Sequence, residues 1–170
     1  MALDVFVADE QSDEPVDALR WIRLARAVLK AEGVKGEAEL GVRFVDEESM
    51  AHLNKHFLGK DEPTDVLAFP IDDDVVDRGR SPDAGGRGPG ADEGDSDDVP
   101  VLIGDVVVCP TVARRNAPTH AGSYDDEMAL LLVHGILHLM GMDHLDDDEA
   151  TAMERREREL LDRFHSVTGP

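Results

Sequence analysis

The segment DEMALLLVHGILHLM (126–140), which Gly141 follows, is the feature that most constrains this fold. Its periodicity predicts a long helix. Ser123 and Asp126 form a pattern resembling a capping box at the start of this helix, and the glycine ends it. His134 and His138 lie four residues apart in this otherwise apolar helix, so both rings project from one face about one turn apart. Because unpaired imidazoles are costly to bury among apolar side chains, we expect the two rings to share a partner.

A third histidine completes a metal-ligand pattern. The stretch HGILHLMGMDH (134–144) has the spacing H-x3-H-x5-H. Gly141 can take the left-handed conformation that turns a chain sharply, so His144 can swing back towards His134 and His138. Catalytic zinc sites typically have three protein ligands and one open position. We therefore predict one Zn²⁺ ion bound by the three histidines, where its full charge suits activating water or polarising an anionic oxygen.

Position 135 separates this pattern from that of zinc peptidases. The spacing matches H-E-x-x-H-x-x-G-x-x-H except that Gly135 stands where a peptidase needs its glutamate general base. A zincin-like metallopeptidase therefore remains only an alternative. His52 and His56 repeat the four-residue spacing, but no third histidine or turn follows them, so we predict a surface or packing role for that pair.

The remaining elements predict one α+β domain over residues 1–170, with a small mixed β-sheet and a zincin-like three-histidine metal site. Alternating or continuous apolar residues predict strands near 3–7, 38–46, 66–71 and 101–108. Helices are expected at about 15–32, 47–57, 110–117 and 147–164, and the charged run ERRERE in the last is expected to face solvent. Gly33 and Gly59 are expected to end the first two helices.

Charge and composition limit where the protein works. The formal net charge of −21 argues against general polyanion or membrane binding, so neither DNA nor a membrane is an expected partner. Much of that charge lies at 72–98, which is rich in Asp, Gly, Ser and Pro and reads as a flexible acidic insertion. The chain shows no apolar run long enough to span a membrane and no signal-peptide pattern, and Cys109 is its one cysteine, so a cytoplasmic location is expected.

Three segments together resemble one known family. HGILHLMGMDH, with the preceding ALLLV and the following Asp146 and Glu149, looks like the signature of YbeY-type endoribonucleases, the ribosomal RNA maturation factors. LNKHFLGKDEPTDVLAFP (53–70) and IGDVVVCP (103–110) are similar to further motifs of that family. The resemblance covers most of the chain except the acidic insertion.

The resemblance implies zinc on His134, His138 and His144, and a single-strand-specific endoribonuclease. Such an enzyme matures the 3′ end of small-subunit ribosomal RNA and takes part in ribosome quality control, with small-subunit ribosomal proteins as candidate partners. One departure matters: many family members carry an arginine that assists catalysis where this chain has Leu58. Lys60 is a candidate replacement cation, although a solvated lysine is the plainer interpretation. The departure also keeps open a third alternative, a ribosome assembly factor whose zinc is mainly structural.

The sequence leaves the catalytic side chains themselves unassigned. Asp143 is a candidate that would orient an imidazole N–H, and its alternative role is a turn residue bonded to its own backbone. Thr64 and Asp65 are expected near the strand entrance, where turn capping explains them equally well. Cys109 is expected to be a small apolar residue at a strand end.

RNA binding by so acidic a chain requires a local source of positive charge. Spacings of three, three and four place Arg20, Arg23, Arg26 and Lys30 on one face of the first helix. We hypothesise that this stripe helps RNA or ribosome docking, and an ordinary solvated helix face is the alternative. With one Trp, one Tyr and five Phe, the chain predicts no exposed aromatic platform for single strands, so its own affinity for RNA is expected to be modest.

Overall fold

The protein is built on a mixed β-sheet covered by helices. The computed structural model describes residues 3–34, 37–60, 62–70, 101–142 and 146–165. The acidic insertion predicted at 72–98 lies outside the described residues. The strands are β1 (Leu3–Asp9), β2 (Ala38–Phe44), β3 (Val66–Pro70) and β4 (Val101–Val108). The α-helices are α1 (Ala18–Ala31), α2 (Glu47–Leu58), α3 (Pro110–Asn116), α4 (Tyr124–Leu139) and α5 (Asp147–Leu160).

The four strands form one sheet in the order β1-β2-β4-β3. β1, β2 and β4 run parallel, and β3 pairs antiparallel with β4, from Val66 opposite Val108 to Pro70 opposite Gly104. The α+β class and the mixed sheet are therefore confirmed. β3 forms an edge of the sheet within the described residues, where a proline is tolerated because one side of the strand needs no ladder hydrogen bonds.

β4 is buried on both faces, which explains its continuous run of apolar residues. Val106 and Val108 belong to the larger core cluster with residues of α1, α4 and α5. Val107 belongs to a second cluster, which includes Met50 from α2 and Val112 from α3. The strand that supports α4 is thus fixed from two sides.

α4 lies unusually close to β4 at one glycine. A Cβ atom placed on Gly135 would lie 2.7 Å from Cγ1 and 3.2 Å from Cγ2 of Val106, which is itself fully buried. Real Cβ atoms essentially never approach within 3.0 Å of another heavy atom. The close packing of the helix on the sheet therefore favours glycine at 135, whatever chemistry the site performs.

The predicted helix starts are mostly correct, with one correction. α1 begins at Ala18 rather than near Pro15, because the side chain of Asp17 caps the helix by accepting a hydrogen bond from the Arg20 amide. The start of α4 is confirmed: Ser123 Oγ accepts a hydrogen bond from the Asp126 amide at 3.1 Å. None of the described helices is long and apolar enough to cross a bilayer.

α5 confirms that most of the run ERRERE faces solvent, with Glu157 as the exception. Met153, Glu157 and Leu160 recur at helical spacing and are all buried, although the helix is polar elsewhere. The α-helix ends at Leu160 and continues as a π-helical turn over Leu161–His165. One carboxylate of the charged run therefore faces the interior, where it needs a partner.

Candidate metal centre

The paired histidines of α4 lie side by side. The ring centroids of His134 and His138 are 4.6 Å apart, with the ring planes at 87°. Both residues are half-buried, although their apolar neighbours on the helix are almost fully buried. The predicted common face is therefore confirmed, and both imidazoles lie where a ligand can reach them.

The helix ends as the sequence predicts. Gly141 has φ +102°, and its amide donates to the carbonyl of His138, while the amide of Met142 donates to the carbonyl of Leu137, each at 3.0 Å. This pair of bonds forms the Schellman motif that terminates helices with a left-handed residue. His144 and Asp143 lie outside the described residues, so the third ligand and the role of Asp143 stay predictions.

Glu157 orients His134. Its carboxylate, with a side chain only 10% exposed, lies 2.5 Å from His134 Nδ1. A carboxylate accepts at this position, so Nδ1 carries the proton and Nε2 keeps its lone pair. Metal-binding histidines characteristically donate their other N–H to a carboxylate in this way. Glu157 was not predicted from the sequence, although its spacing with Met153 and Leu160 is a signal that it faces inward.

These residues fit a metal ion. Two imidazoles side by side, one of them oriented by a carboxylate at Nδ1, are the donor type that zinc prefers. Within the residues that the structure describes, no group of three potential metal-ligating side chains is found. The predicted site needs His144 to complete it, so the three-histidine zinc centre remains a proposal.

Two hollows meet at the histidines, and together they are called the histidine cleft. The first, of about 350 Å³, is lined by His120 and Glu154 as well as by Glu157. The second, of about 590 Å³, is lined by His138 and by residues of α2 and β3. Asp65 and His134 line both hollows, so the aspartate of the PTDVL segment lies in the cleft beside a predicted ligand.

The far wall of the cleft is apolar and partly aromatic. Phe57 and Leu58 line it at 54% and 59% exposure, and the Phe57 ring lies 4.8 Å from that of Phe69. One aromatic side chain, Phe57, is therefore exposed on this wall, although no exposed aromatic platform was expected. Lys60 is exposed just after α2 and is not among the residues lining the cleft, so the structure does not bring it to the histidines.

Two further expectations are confirmed. His52 and His56 are exposed on α2, as predicted for a pair without a third ligand. Cys109 is buried directly after β4, and this burial raises the pKa of its thiol. An uncharged thiol packed among apolar side chains is consistent with the structural role predicted for it.

A second histidine–glutamate pair lies at the other end of the cleft. His120 Nδ1 lies 2.9 and 2.8 Å from the two carboxylate oxygens of Glu127, whose side chain is 0% exposed. Glu127 also accepts a hydrogen bond from the Ala121 amide at 3.0 Å. This pair was not predicted from the sequence. The sequence signal that could have identified it is that the acidic residue Glu127 lies seven residues before His134, on the same face of the helix.

The predicted basic stripe on α1 is divided by the fold. Arg20 donates to Asp125 at 3.1 Å, and its side chain is only 18% exposed, so it is not a free cation as the stripe required. The other three residues line a groove of about 460 Å³ with a cation from the C-terminal turn: Arg23, Arg26, Lys30 and Arg163. No acidic residue lines this groove among the described residues. A local basic surface therefore exists, but its composition differs from the prediction.

The sheet, the helices and the cleft define an α+β protein with a candidate metal centre, and comparison with known proteins identifies its family. Residues 6–165 match the family model described as "Endoribonuclease YbeY". A relative from Salinispora tropica described by the same name is 41% identical over 165 residues, covering 97% of this chain and 98% of its own. A second relative, from Thermobifida fusca, is 43% identical over 159 residues, covering 94% of this chain and 92% of its own. The chain belongs to the endoribonuclease YbeY family, which confirms the resemblance seen in its motifs.

A solved structure shares the fold. The solution structure of TM1509 from Thermotoga maritima superposes with a TM-score of 0.53, covering 98% of this chain and 94% of the other. The two chains are 22% identical, so this likeness supports the fold alone.

Proposed function

We propose that this protein is a zinc-dependent, single-strand-specific endoribonuclease that matures the 3′ end of small-subunit ribosomal RNA and acts in ribosome quality control. The observation that carries the proposal is the His134–Glu157 hydrogen bond beside His138, in an open cleft of a chain that belongs to the endoribonuclease YbeY family. The relatives of this family are named endoribonucleases, which supports RNA as the substrate.

The three histidines of the motif would hold the ion. Of these, His134 and His138 lie on α4, and His144 follows the turn at Gly141. A zinc ion bound there would supply Lewis-acid chemistry to a phosphodiester in the cleft. Glu157 would hold His134 in the required tautomer throughout, because its carboxylate is buried and has little freedom to turn away.

Single-strand selectivity is supported by the apolar wall of the cleft. Phe57 is exposed and backed by Phe69, so a base placed against it gains a stacking contact. A base can stack there only after it has left its own duplex neighbours, which favours unpaired RNA. Leu58 beside it is apolar where the family's arginine would stand, so this wall contributes contact area rather than positive charge.

Electrostatic attraction for the RNA backbone is proposed for the basic groove lined by α1 and the C-terminal turn. Its four cations lie together on a chain of net charge −21, so phosphates would be attracted to this surface rather than to the acidic remainder. The affinity that four phosphate contacts provide is modest and strongly salt-dependent. Docking on the small ribosomal subunit, with its proteins as partners, would supply the remaining specificity.

The test compares cleavage of three labelled substrates by the purified protein: a single-stranded small-subunit 3′-end precursor RNA, the same RNA annealed to its complement, and casein. Each reaction is run with and without a chelator, and with His138→Ala as the matched variant. The proposal expects cleavage of the single strand alone, abolished by chelation and by the substitution. Casein cleavage would instead support the peptidase alternative. If the metal-loaded protein cuts neither RNA nor casein and the chelator unfolds it, the result would support a structural zinc.

A further inference from the structure

We propose that His120 donates a proton to the leaving oxygen of the scissile phosphodiester, and that Glu127 orients its ring. This inference rests on the proposed endoribonuclease function and adds a catalytic residue to it. It starts from a buried carboxylate that the metal centre does not use.

Glu127 is a carboxylate in an apolar helix with 0% side-chain exposure. An unpaired ion at such a depth costs several kcal/mol, so its environment must supply positive charge or hydrogen bonds. Hydrogen bonds are present: His120 Nδ1 lies within 2.9 Å of each oxygen, and the Ala121 amide donates to Oε1 at 3.0 Å. Because the amide can only donate, these oxygens are acceptors, and the imidazole N–H donates to them. The buried carboxylate therefore fixes the orientation of the ring.

His120 itself is open to the cleft. Its side chain is 58% exposed, although its partner is completely buried. It lines the same hollow as His134. Among the described residues, no side chain or backbone group forms a hydrogen bond with its Nε2 atom. The second N–H of the ring is thus left for an oxygen of a molecule that occupies the cleft.

α4 holds Glu127 and the metal-centre residue His134 at a fixed separation. Glu127 and His134 are seven residues apart on the same helix face, which is about 10 Å along the helix axis at 1.5 Å per residue. Both ends are supported by buried carboxylates, Glu127 for His120 and Glu157 for His134. His120 itself precedes the helix, but its hydrogen bond to Glu127 ties its ring to α4, and it lines the same hollow as His134.

The cleft offers no better proton donor. Among the described residues that line it there is no lysine or arginine, and the position of the family's arginine is occupied by Leu58. Carboxyl groups ordinarily lose their proton near pH 4, whereas imidazole exchanges its proton between pH 5 and 8. Among the described residues that line this part of the cleft, His120 is the one imidazole that is not a predicted metal ligand. It would therefore supply both the proton and the positive charge that Leu58 lacks.

The step is balanced as hydrolysis. The oxygen of a water molecule bonds to phosphorus while the bond from phosphorus to the leaving ribose oxygen breaks. The leaving oxygen takes the proton from Nε2 of His120, and the water's proton passes to solvent. His120 is then neutral and regains its proton from solvent before the next turnover.

The test uses metal-loaded full-length protein and a short single-stranded RNA with one cleavage site. Mapping the product ends of the unmodified protein identifies the leaving oxygen, and a second RNA carries sulfur in its place, because a thiolate leaves without protonation. His120→Gln is expected to lower kcat on the oxygen substrate about 100-fold with little change in KM, at the low end of what general acids contribute. On the sulfur substrate the two proteins are expected to differ by only a few fold. An equal loss on both substrates, or a loss in KM alone, would overturn the proposal.

Two further proteins separate chemistry from folding. In His120→Gln/Glu127→Gln the buried charge is removed with its partner, so this double variant is expected to fold and to show the same substrate-dependent loss. His52→Gln removes an exposed histidine of α2 and is expected to cut both RNAs normally. If the unmodified protein cut no RNA at all, the endoribonuclease function would be refuted. If it cut RNA and the folded double variant cut equally well, only this inference would be refuted.

A pH profile gives an independent readout. The decline of kcat at alkaline pH is expected to disappear in His120→Gln, because the group that must hold a proton is gone. Other titratable groups surround this ring, so the profile is compared between variants rather than assigned from one protein: Glu127, Asp65, Glu154, Glu157 and His134. An alkaline limb unchanged by the substitution would count against a proton donor at this position.

Discussion

Introducing a side chain at Gly135 tests why this helix carries glycine between its histidines. The nearest atoms to a new Cβ are Cγ1 and Cγ2 of Val106, at 2.7 and 3.2 Å, and the valine is buried in a strand held on both faces. Neither partner can move freely, so Gly135→Ala is expected to cost about 2 kcal/mol in overpacking. Alanine has a higher helix propensity than glycine, which offsets about 1 kcal/mol of this cost. The net decrease in the free energy of unfolding is therefore about 1 kcal/mol.

Val106→Ala separates these two contributions. It removes the two clashing methyl groups and alone is expected to destabilise by about 2 kcal/mol, from lost burial and the cavity left behind. In the double variant Gly135→Ala/Val106→Ala the clash is absent, but the gain in helix propensity remains. The expected decrease in the free energy of unfolding is therefore about 1 kcal/mol, whereas adding the two single effects would give about 3 kcal/mol. Urea unfolding of the four proteins measures this coupling of about 2 kcal/mol. Additive losses, or a stabilising Gly135→Ala, would refute the close-packing argument.

The same contact bears on the peptidase alternative. A glutamate at 135 would complete the peptidase pattern, but its Cβ would meet the same methyl groups. Gly135→Glu is therefore expected to displace α4 and with it the neighbouring His134, so metal binding falls and no casein cleavage is gained. Glycine at this position excludes the peptidase base for reasons of packing as well as chemistry.

Three further predictions follow from the surrounding contacts. Glu157→Gln should weaken zinc binding by about 10- to 100-fold in competition with a chromophoric chelator, and unchanged affinity would argue against its orienting role. Hydrogen bonds from its neighbours lower the pKa of Asp126 below its ordinary 3.8, so the stability it contributes should be present above about pH 4 and lost as the pH falls through the lowered value. Asp126→Asn should thus lower the urea midpoint at pH 7 but not at pH 2, and an equal effect at both would contradict this. Arg23→Glu should weaken RNA binding and reduce its salt dependence, whereas Arg20→Ala, which removes an arginine already paired with acid, should do neither.

Local signals predicted most of the fold because they act through backbone geometry within a few residues. Gly33, Gly59 and Gly141 all have positive φ at the helix ends where they were expected. Ser123 and Asp46 cap helices through the backbone amides three residues later, also as expected. In each case one residue type satisfies a conformational requirement that few others meet, so the sequence alone is sufficient.

The carboxylates behind the histidines could not be predicted in the same way, because their partners are distant in sequence. Glu157 and His134 are 23 residues apart and meet only after α5 packs on α4. In a charged run such as ERRERE, a buried glutamate resembles its exposed neighbours until the inward face of the helix is known. Glu127 could not be predicted for a different reason. An acidic residue in the first turn of a helix is also favoured by the helix dipole, so its presence there does not indicate a buried partner.

The basic stripe shows the limit of reasoning from one helix face. Spacing correctly placed Arg23, Arg26 and Lys30 together, and they line one groove. Arg20 has the same periodicity, but the start of α4 brings Asp125 against it. Arg163 joins the groove only through the turn after α5. Periodicity therefore identified the surface, and tertiary contacts decided its members.

The central claim is that the histidines of the motif bind one metal ion, and the metal content of the native protein tests it most directly. Elemental mass spectrometry of protein purified without added metal should find about one zinc ion per chain, the single ion expected of a three-ligand site. His138→Ala, purified in parallel and shown to be folded, should contain little or none. A native protein free of transition metal, or a His138→Ala variant with the same zinc content, would contradict the account.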